Sequence, residues 1–264
     1  MFREVIGVEQ MSALAEKKTR AHVIPFFVFM GIMMVDMLFE MTGFRLDNIA
    51  QPWYRRRPEY LLMLIQLMVV LPMLLYWRKY YEWNFRKGWL LAVIGGVVGI
   101  GIWIAPTHFY TAMELNAKGG EDPSWYKWFG LAPRAEGFDA GIFEQGSSAY
   151  WVAIVGRFLR AVVLVSLVEE IFWRGFLMRF ILRPDGNYWK VPFGEFSWMS
   201  YGVVTVAFML VHAPLDWLGA FFFGSVMYYV AWKSKSLFAC VLMHGVANLI
   251  MGWYAFAFEK YGLW

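Results

Sequence analysis

The chain has 264 residues, of which 60% are hydrophobic, 20% aromatic and only 17% charged. Its mean hydropathy is +0.47. Soluble domains carry about 25% charged residues, so a water-soluble fold could not hide this much apolar surface and lipid is the solvent implied. The net charge of +4 sits in short basic clusters beside apolar runs, where anionic headgroups account for it and a nucleic-acid partner is excluded.

Residues 1–22 are mixed and charged, without the short apolar core and small-residue cleavage site of a signal peptide, and are read as a cytoplasmic N-terminal segment. A spanning helix needs about 20 mostly apolar residues. The first candidates are residues 23–41, 60–77 and 89–105, forming an N-terminal group of transmembrane helices, 23–105. Asp36 and Glu40 interrupt the far end of the first. Pro58 opens the second and Pro72 interrupts it. In the third, Gly95, Gly96, Gly99 and Gly101 form a small-residue stretch suited to close helix packing.

Residues 106–148 change character, with Glu114, Glu121, Asp122, Glu136, Asp139, Glu144 and several Gly and Pro. They read as a water-exposed acidic loop with some short helix, long enough to point to function. The apolar stretch 149–182 is too long for one plain span, so it is tilted, broken or extended beyond the membrane. After a polar segment at 183–187, three more spans are expected at 198–212, 215–232 and 237–258. The fold class is therefore all-α, a polytopic transmembrane helical bundle of seven segments, or eight if the long one divides. The single cysteine, Cys240, rules out an internal disulfide and a cysteine-based metal site. The 15 Trp and 14 Tyr suit membrane interfaces.

Lys and Arg near span ends set orientation. Lys17, Lys18 and Arg20 place the N-terminus in the cytoplasm, and Arg78, Lys79, Arg86, Lys87, Arg179, Arg183, Lys190, Lys233 and Lys235 fit the same orientation. Arg55, Arg56 and Arg57 violate it.

Ionisable groups inside a span are expensive and usually functional. Glu169 and Glu170 are adjacent carboxylates in apolar sequence, with Arg174 four residues after the second. On a helix Glu170 and Arg174 share a face, while Glu169 points about 100° away. Glu170 is thus available to Arg174, and Glu169 is free to face a cavity. The competing structural reading is a buried ion pair with a spectator carboxylate. His22 and His108 read as interfacial histidines. His212 follows Phe208 by four residues, and His244 precedes Asn248 by four, so each pair lies on one helix face. Counted from the expected cytoplasmic boundaries, Glu169, His212 and His244 lie roughly 21, 21 and 14 Å deep and could share one layer of the membrane.

These three motifs, in this order and spacing, resemble the family of intramembrane proteases containing type II CAAX prenyl endopeptidases and bacteriocin-processing proteins. The resemblance covers residues 149–258, which become the catalytic transmembrane core. Pro25 to Met30, Phe172 to Arg179 and Phe196 to Trp198 look closer to a bacterial branch associated with exosortase systems. The resemblance implies a helical membrane fold with a conical cavity in which Glu169 activates water with help from His212. It further implies that His244 and Asn248 bind the oxyanion, that Glu170 and Arg174 order the site, and that Phe208 supports it. The substrate it implies is a membrane-anchored protein or peptide, cut near its C-terminal part, in a bacterial inner membrane.

The chemistry stands beside that resemblance. Peptide hydrolysis needs activated water and a donor for developing negative charge. No serine, cysteine or lysine is placed as a nucleophile, although Ser166 sits near the glutamates. The preferred reading has no cofactor. A zinc site of Glu169, His212 and His244 is the alternative, although no H-E-x-x-H helix is present. Two other functions compete. One is a non-catalytic membrane binding or immunity protein. The other is a proton-coupled transporter, which would call for a repeat symmetry that the sequence lacks.

Overall fold

The computed structural model describes residues 2–264 apart from 47, 49, 114–122, 135, 136 and 139, and gives backbone alone for 2–11. The described residues are helical, with no strand among them. Seven longer helices occupy the seven expected segments. They are α1 (Phe2–Met41), α2 (Glu59–Trp77), α3 (Trp89–Ala112), α4 (Ser148–Phe180), α5 (Trp198–Leu210), α6 (Trp217–Ser234) and α7 (Leu237–Ala257). Five stretches are long and apolar enough to cross a membrane: Ser12–Met41, Glu59–Tyr80, Trp89–Ala112, Ser148–Phe180 and Leu237–Ala257. The chain is an integral membrane protein, and helices are the natural form for it because they satisfy their own backbone hydrogen bonds in hydrocarbon.

The chain divides into two compact units, Met1–Tyr81 with Asp139–Phe172, and Glu82–Phe138 with Trp173–Trp264. In the first, α1, α2 and the first part of α4 pack together. Gln66 of α2 donates from Nε2 to the Phe29 carbonyl of α1 at 3.1 Å. Tyr81 donates its hydroxyl to the Ala21 carbonyl at 3.0 Å. Phe26 and Phe172 stack with centroids 4.0 Å apart and planes 4° from parallel. Asp36 is one partner of Arg45, at 3.1 Å, and Glu59 the other, at 2.6 Å. His22 is buried, its ring edge-on to Tyr81 at 5.3 Å.

The long stretch of α4 is one helical run with two wider, π-type segments, Leu159–Val165 and Ile171–Leu177. Between them lies a short α-helical segment, Ser166–Glu170. At 33 residues the run measures about 50 Å, well over the roughly 30 Å hydrocarbon core. Of the readings left open for this stretch, a break is the one the backbone does not adopt, since the run is continuous and only locally widened.

In the second unit α3 packs against α6 and α7 through its glycines. A Cβ on Gly96 would lie 2.7 Å from the Met243 carbonyl oxygen, and one on Gly99 would lie 2.8 Å from the Phe223 ring. Gly95 is nearly as tight, 3.1 Å from Met243 and Val230. Gly101 does not join this face, with nothing within 4 Å, because two helical steps from Gly99 turn it about 200° away. α3 runs to Ala112. Of the acidic residues assigned to the following loop, only Glu144 lies within the described residues. The loop's Phe138 is buried, and Gly137 lies against the Tyr261 carbonyl so closely that a Cβ would overlap it.

Two substitutions separate these environments. Gly96→Ala forces a methyl onto a backbone carbonyl that cannot move aside and is expected to cost about 1–3 kcal/mol. Gly101→Ala faces open space and should not destabilise, with a gain of up to about 1 kcal/mol because alanine is the better helix former. Thermal unfolding midpoints of both variants in one detergent check this; equal midpoints would contradict the packing.

Candidate active site

Glu169 and Glu170 end the short α-helical segment between the two π-type turns of α4. A π turn inserts an extra residue into the hydrogen-bonding ring, re-aims the side chains around it and is frequent at functional sites. Glu170 is completely buried, and Glu169 is half-buried. One carboxylate oxygen of Glu169, Oε2, is enclosed without a hydrogen-bond partner among the described residues. Both glutamates belong to the first unit.

The second unit holds Arg174, Phe208, His212, His244 and Asn248, and aromatic rings organise them. The guanidinium of Arg174, fully buried, lies 5.2 Å over the centroid of Phe208. A cation on a ring face is stabilised by the ring quadrupole, most strongly where water is absent. Trp173 meets the same ring edge-on at 5.8 Å. Phe208 in turn lies 4.7 Å from the His212 ring and stacks at 6.2 Å with Phe223 of α6. Phe223 then meets His244 of α7 edge-on at 5.6 Å. Phe208 and Phe223 therefore link Arg174 and both histidines through ring contacts. His244 is buried and Asn248, one turn later, is half-buried.

His212 does not sit inside a helix. α5 ends at Leu210, with Val211 as its C-cap, and His212 occupies the turn that follows. Its Nδ1 nevertheless lies 2.7 Å from the Phe208 carbonyl. A carbonyl only accepts, so this bond places the proton on Nδ1 and leaves Nε2 with its lone pair. The tautomer follows from the partner, and it is the one needed to take up a proton at Nε2.

Several residues that hold this arrangement escaped the sequence reading. Trp103 of α3 meets His212 edge-on at 5.2 Å and Phe223 at 5.8 Å. Its Nε1 donates to Asp216 Oδ1 at 3.1 Å, and Arg134 Nη2 donates to the same oxygen at 2.7 Å. Arg134 Nε also donates to Thr107 Oγ1 at 2.9 Å. Trp217 closes the turn by donating Nε1 to the His212 carbonyl at 3.1 Å. Asp216 could have been noticed as a carboxylate at the start of an expected span, 215–232. Nothing local marks Phe223, Trp103 or Arg134. The loop between α3 and α4 therefore has a definite task, since Arg134 fastens the turn that carries His212.

Among the described residues, no group of three His, Cys, Asp or Glu side chains is placed to hold a metal ion. The zinc alternative would draw Glu169 from one unit and His212 and His244 from the other.

A family model described as type II CAAX prenyl endopeptidase Rce1-like matches residues 151–250. Over this segment the chain is similar to that family. The match contains all seven residues of the three motifs, from Glu169 to Asn248. Members of the Rce1-like family are intramembrane CAAX-type proteases, which are peptide hydrolases. No curated protein and no solved structure matches it.

The contact of Arg134 with Asp216 is open to a direct test. Arg134→Met removes the charge partner of Asp216 while keeping bulk, and freedom gained by the His212 turn should lower kcat by about tenfold to a hundredfold with little change in KM. Steady-state cleavage of a membrane-tail peptide measures it. An unchanged kcat would show that the clasp does not position His212.

Proposed function

We propose that the protein hydrolyses a peptide bond near the membrane-embedded C-terminal part of a substrate protein, using water activated by Glu169. The observation that carries this reading is the unpartnered Oε2 of Glu169, enclosed in a membrane-spanning helix. A carboxylate oxygen left without a hydrogen bond in such surroundings is costly, and a water molecule is the partner that offsets the cost.

In the proposed step Glu169 takes a proton from that water as its oxygen attacks the carbonyl carbon of the scissile bond. His212, with its lone pair on Nε2, orients the water and relays protons. Negative charge moves to the carbonyl oxygen, where His244 and Asn248 donate to it. The carbon–nitrogen bond then breaks, and the proton held by Glu169 passes to the leaving amine. Arg174 and Glu170 hold the helix that presents Glu169. The step needs no cofactor; in the zinc alternative, the metal would lower the pKa of the water instead.

The substrate we assign is a C-terminal membrane sorting tail of the kind handled by exosortase systems. The protein would work in a bacterial inner membrane, with its N-terminus and the entrance to the site on the cytoplasmic side. The basic residues before α1 and after α2, α4 and α6 support that orientation, while Arg55, Arg56 and Arg57 before α2 run against it.

Glu169→Gln and His212→Ala are each expected to lower cleavage of membrane-tail peptides by at least about a thousandfold, with unfolding midpoints near that of wild type. Mass spectrometry of the products, with and without a strong chelator, is the measurement. Activity that survives chelation supports glutamate-activated water. Loss on chelation with recovery on adding zinc would move the chemistry to the metal. A well-folded wild type that cleaves no tail would favour a binding or immunity protein of the same fold.

A further inference from the structure

The short 3-10 helix Ser124–Phe129 lies in the connection after α3, which reads from sequence as water-exposed. Its side chains do not suit water. Trp125, Trp128 and Phe129 are 50%, 49% and 44% exposed, three large aromatic groups in one short helix. Residues three apart eclipse in a 3-10 helix, so Trp125 and Trp128 stand one above the other. Trp125 also meets Phe129 edge-on at 5.7 Å. A contiguous apolar patch of this kind marks contact with a membrane or another protein rather than with water.

The position of the helix decides between those two partners. Gly130 follows it with a left-handed φ of +73°, and a Cβ there would lie 2.9 Å from Pro106 of α3 and 3.3 Å from the Leu215 carbonyl oxygen. Arg134 Nε then donates to Thr107 Oγ1 at 2.9 Å. Two attachments to consecutive residues of α3 fix the level of the segment. α3 begins at Trp89, just after Arg86 and Lys87. Pro106 stands roughly 26 Å further along the helix, near the far edge of a hydrocarbon core about 30 Å thick. Ile102 and Phe109, one turn to either side of Pro106 on the same face of α3, are both exposed. The aromatic helix thus continues a surface that lipid covers, at the depth where Trp side chains collect in membranes.

We infer that Ser124–Phe129 is an interfacial anchor. It lies in the headgroup layer of the leaflet opposite Arg86 and Lys87, with Trp125, Trp128 and Phe129 turned into the lipid. Lys127, exposed between the two tryptophans, keeps its ammonium among the phosphates while its stem covers apolar surface. The partner is the bilayer boundary itself, recognised by its amphipathic character. The anchor bears on the site, because Gly130 packs on Leu215 and Arg134 holds Asp216 in the turn that follows His212. One short strap, residues 124–134, therefore ties that turn to the headgroup layer. None of this depends on the hydrolase reading.

The test is a depth measurement on the full-length protein in vesicles of phosphatidylcholine and phosphatidylglycerol. Cys240 is fully buried, so a cysteine introduced at the surface takes a nitroxide label selectively. Lys127→Cys keeps all three aromatic residues. Power-saturation EPR compares collisions with oxygen, which concentrates in lipid, against collisions with a water-soluble nickel chelate. Val97→Cys, on an exposed part of α3, and Asp185→Cys, in the polar connection after α4, are the hydrocarbon and water standards. The label at 127 should favour oxygen more than the label at 185 and less than the label at 97. Adding Trp125→Ser and Trp128→Ser should shift it toward the value at 185. A label at 127 as open to nickel as the one at 185 would overturn the anchor, with every aromatic residue still in place. Protection from both reagents would overturn it too, by placing the aromatic face against a second copy of the chain. An unchanged depth in the double serine variant would show that the aromatic residues do not hold the segment and would likewise overturn it.

Discussion

Hydrocarbon offers no hydrogen-bond partners, and this constraint shapes every polar feature of the chain. Gln66 is buried in α2 and spends its amide on the Phe29 carbonyl and on Arg160. Tyr81 gives its hydroxyl to Ala21, and Ser200 gives its own to the Met178 carbonyl at 2.7 Å. Arg179, almost wholly buried, is answered by Glu82 and by the Trp189 carbonyl. The answering is incomplete: Glu169 Oε2 and Thr205 Oγ1 are among the buried atoms with no hydrogen-bond partner among the described residues.

The same constraint explains how α4 can be distorted without being broken. Two π-type segments widen the helix on either side of the glutamates, yet the backbone groups stay paired within the helix, so hydrocarbon is never presented with bare amides. Widening changes which residues share a face. The adjacent glutamates end up in different surroundings, Glu170 fully buried and Glu169 half-buried. Adjacent carboxylates in different surroundings can differ in their proton affinity.

Aromatic rings hold the histidines where polar partners are scarce. Phe208 touches Arg174 and His212, Phe223 touches His244, and Trp103 braces both His212 and Phe223. Rings fill space, carry few rotamers and tolerate a neighbouring imidazole edge-on. The tautomer of His212 comes from backbone, through the Phe208 carbonyl. The outer layer is electrostatic: Asp216 gathers Trp103 and Arg134 beside the His212 turn.

The sequence by itself determined the solvent, the all-helical class, the seven helical segments and the spacing of the three polar motifs. Those properties are local, because hydropathy over a span and the phase of residues four apart can be read without knowing what packs against them. It also marked α4 as too long for a plain span, but not how the excess would be absorbed. Tertiary structure decided the rest. It turned Gly101 away from the packed glycine face, put His212 in a turn beyond the end of α5, and recruited Arg134 from a loop that reads only as acidic and exposed. It also joined Trp103 to Asp216 across 113 residues of sequence and Arg160 to Gln66 across 94. Such pairings depend on which helices become neighbours, and a side chain's local sequence does not encode what lies across the interface from it.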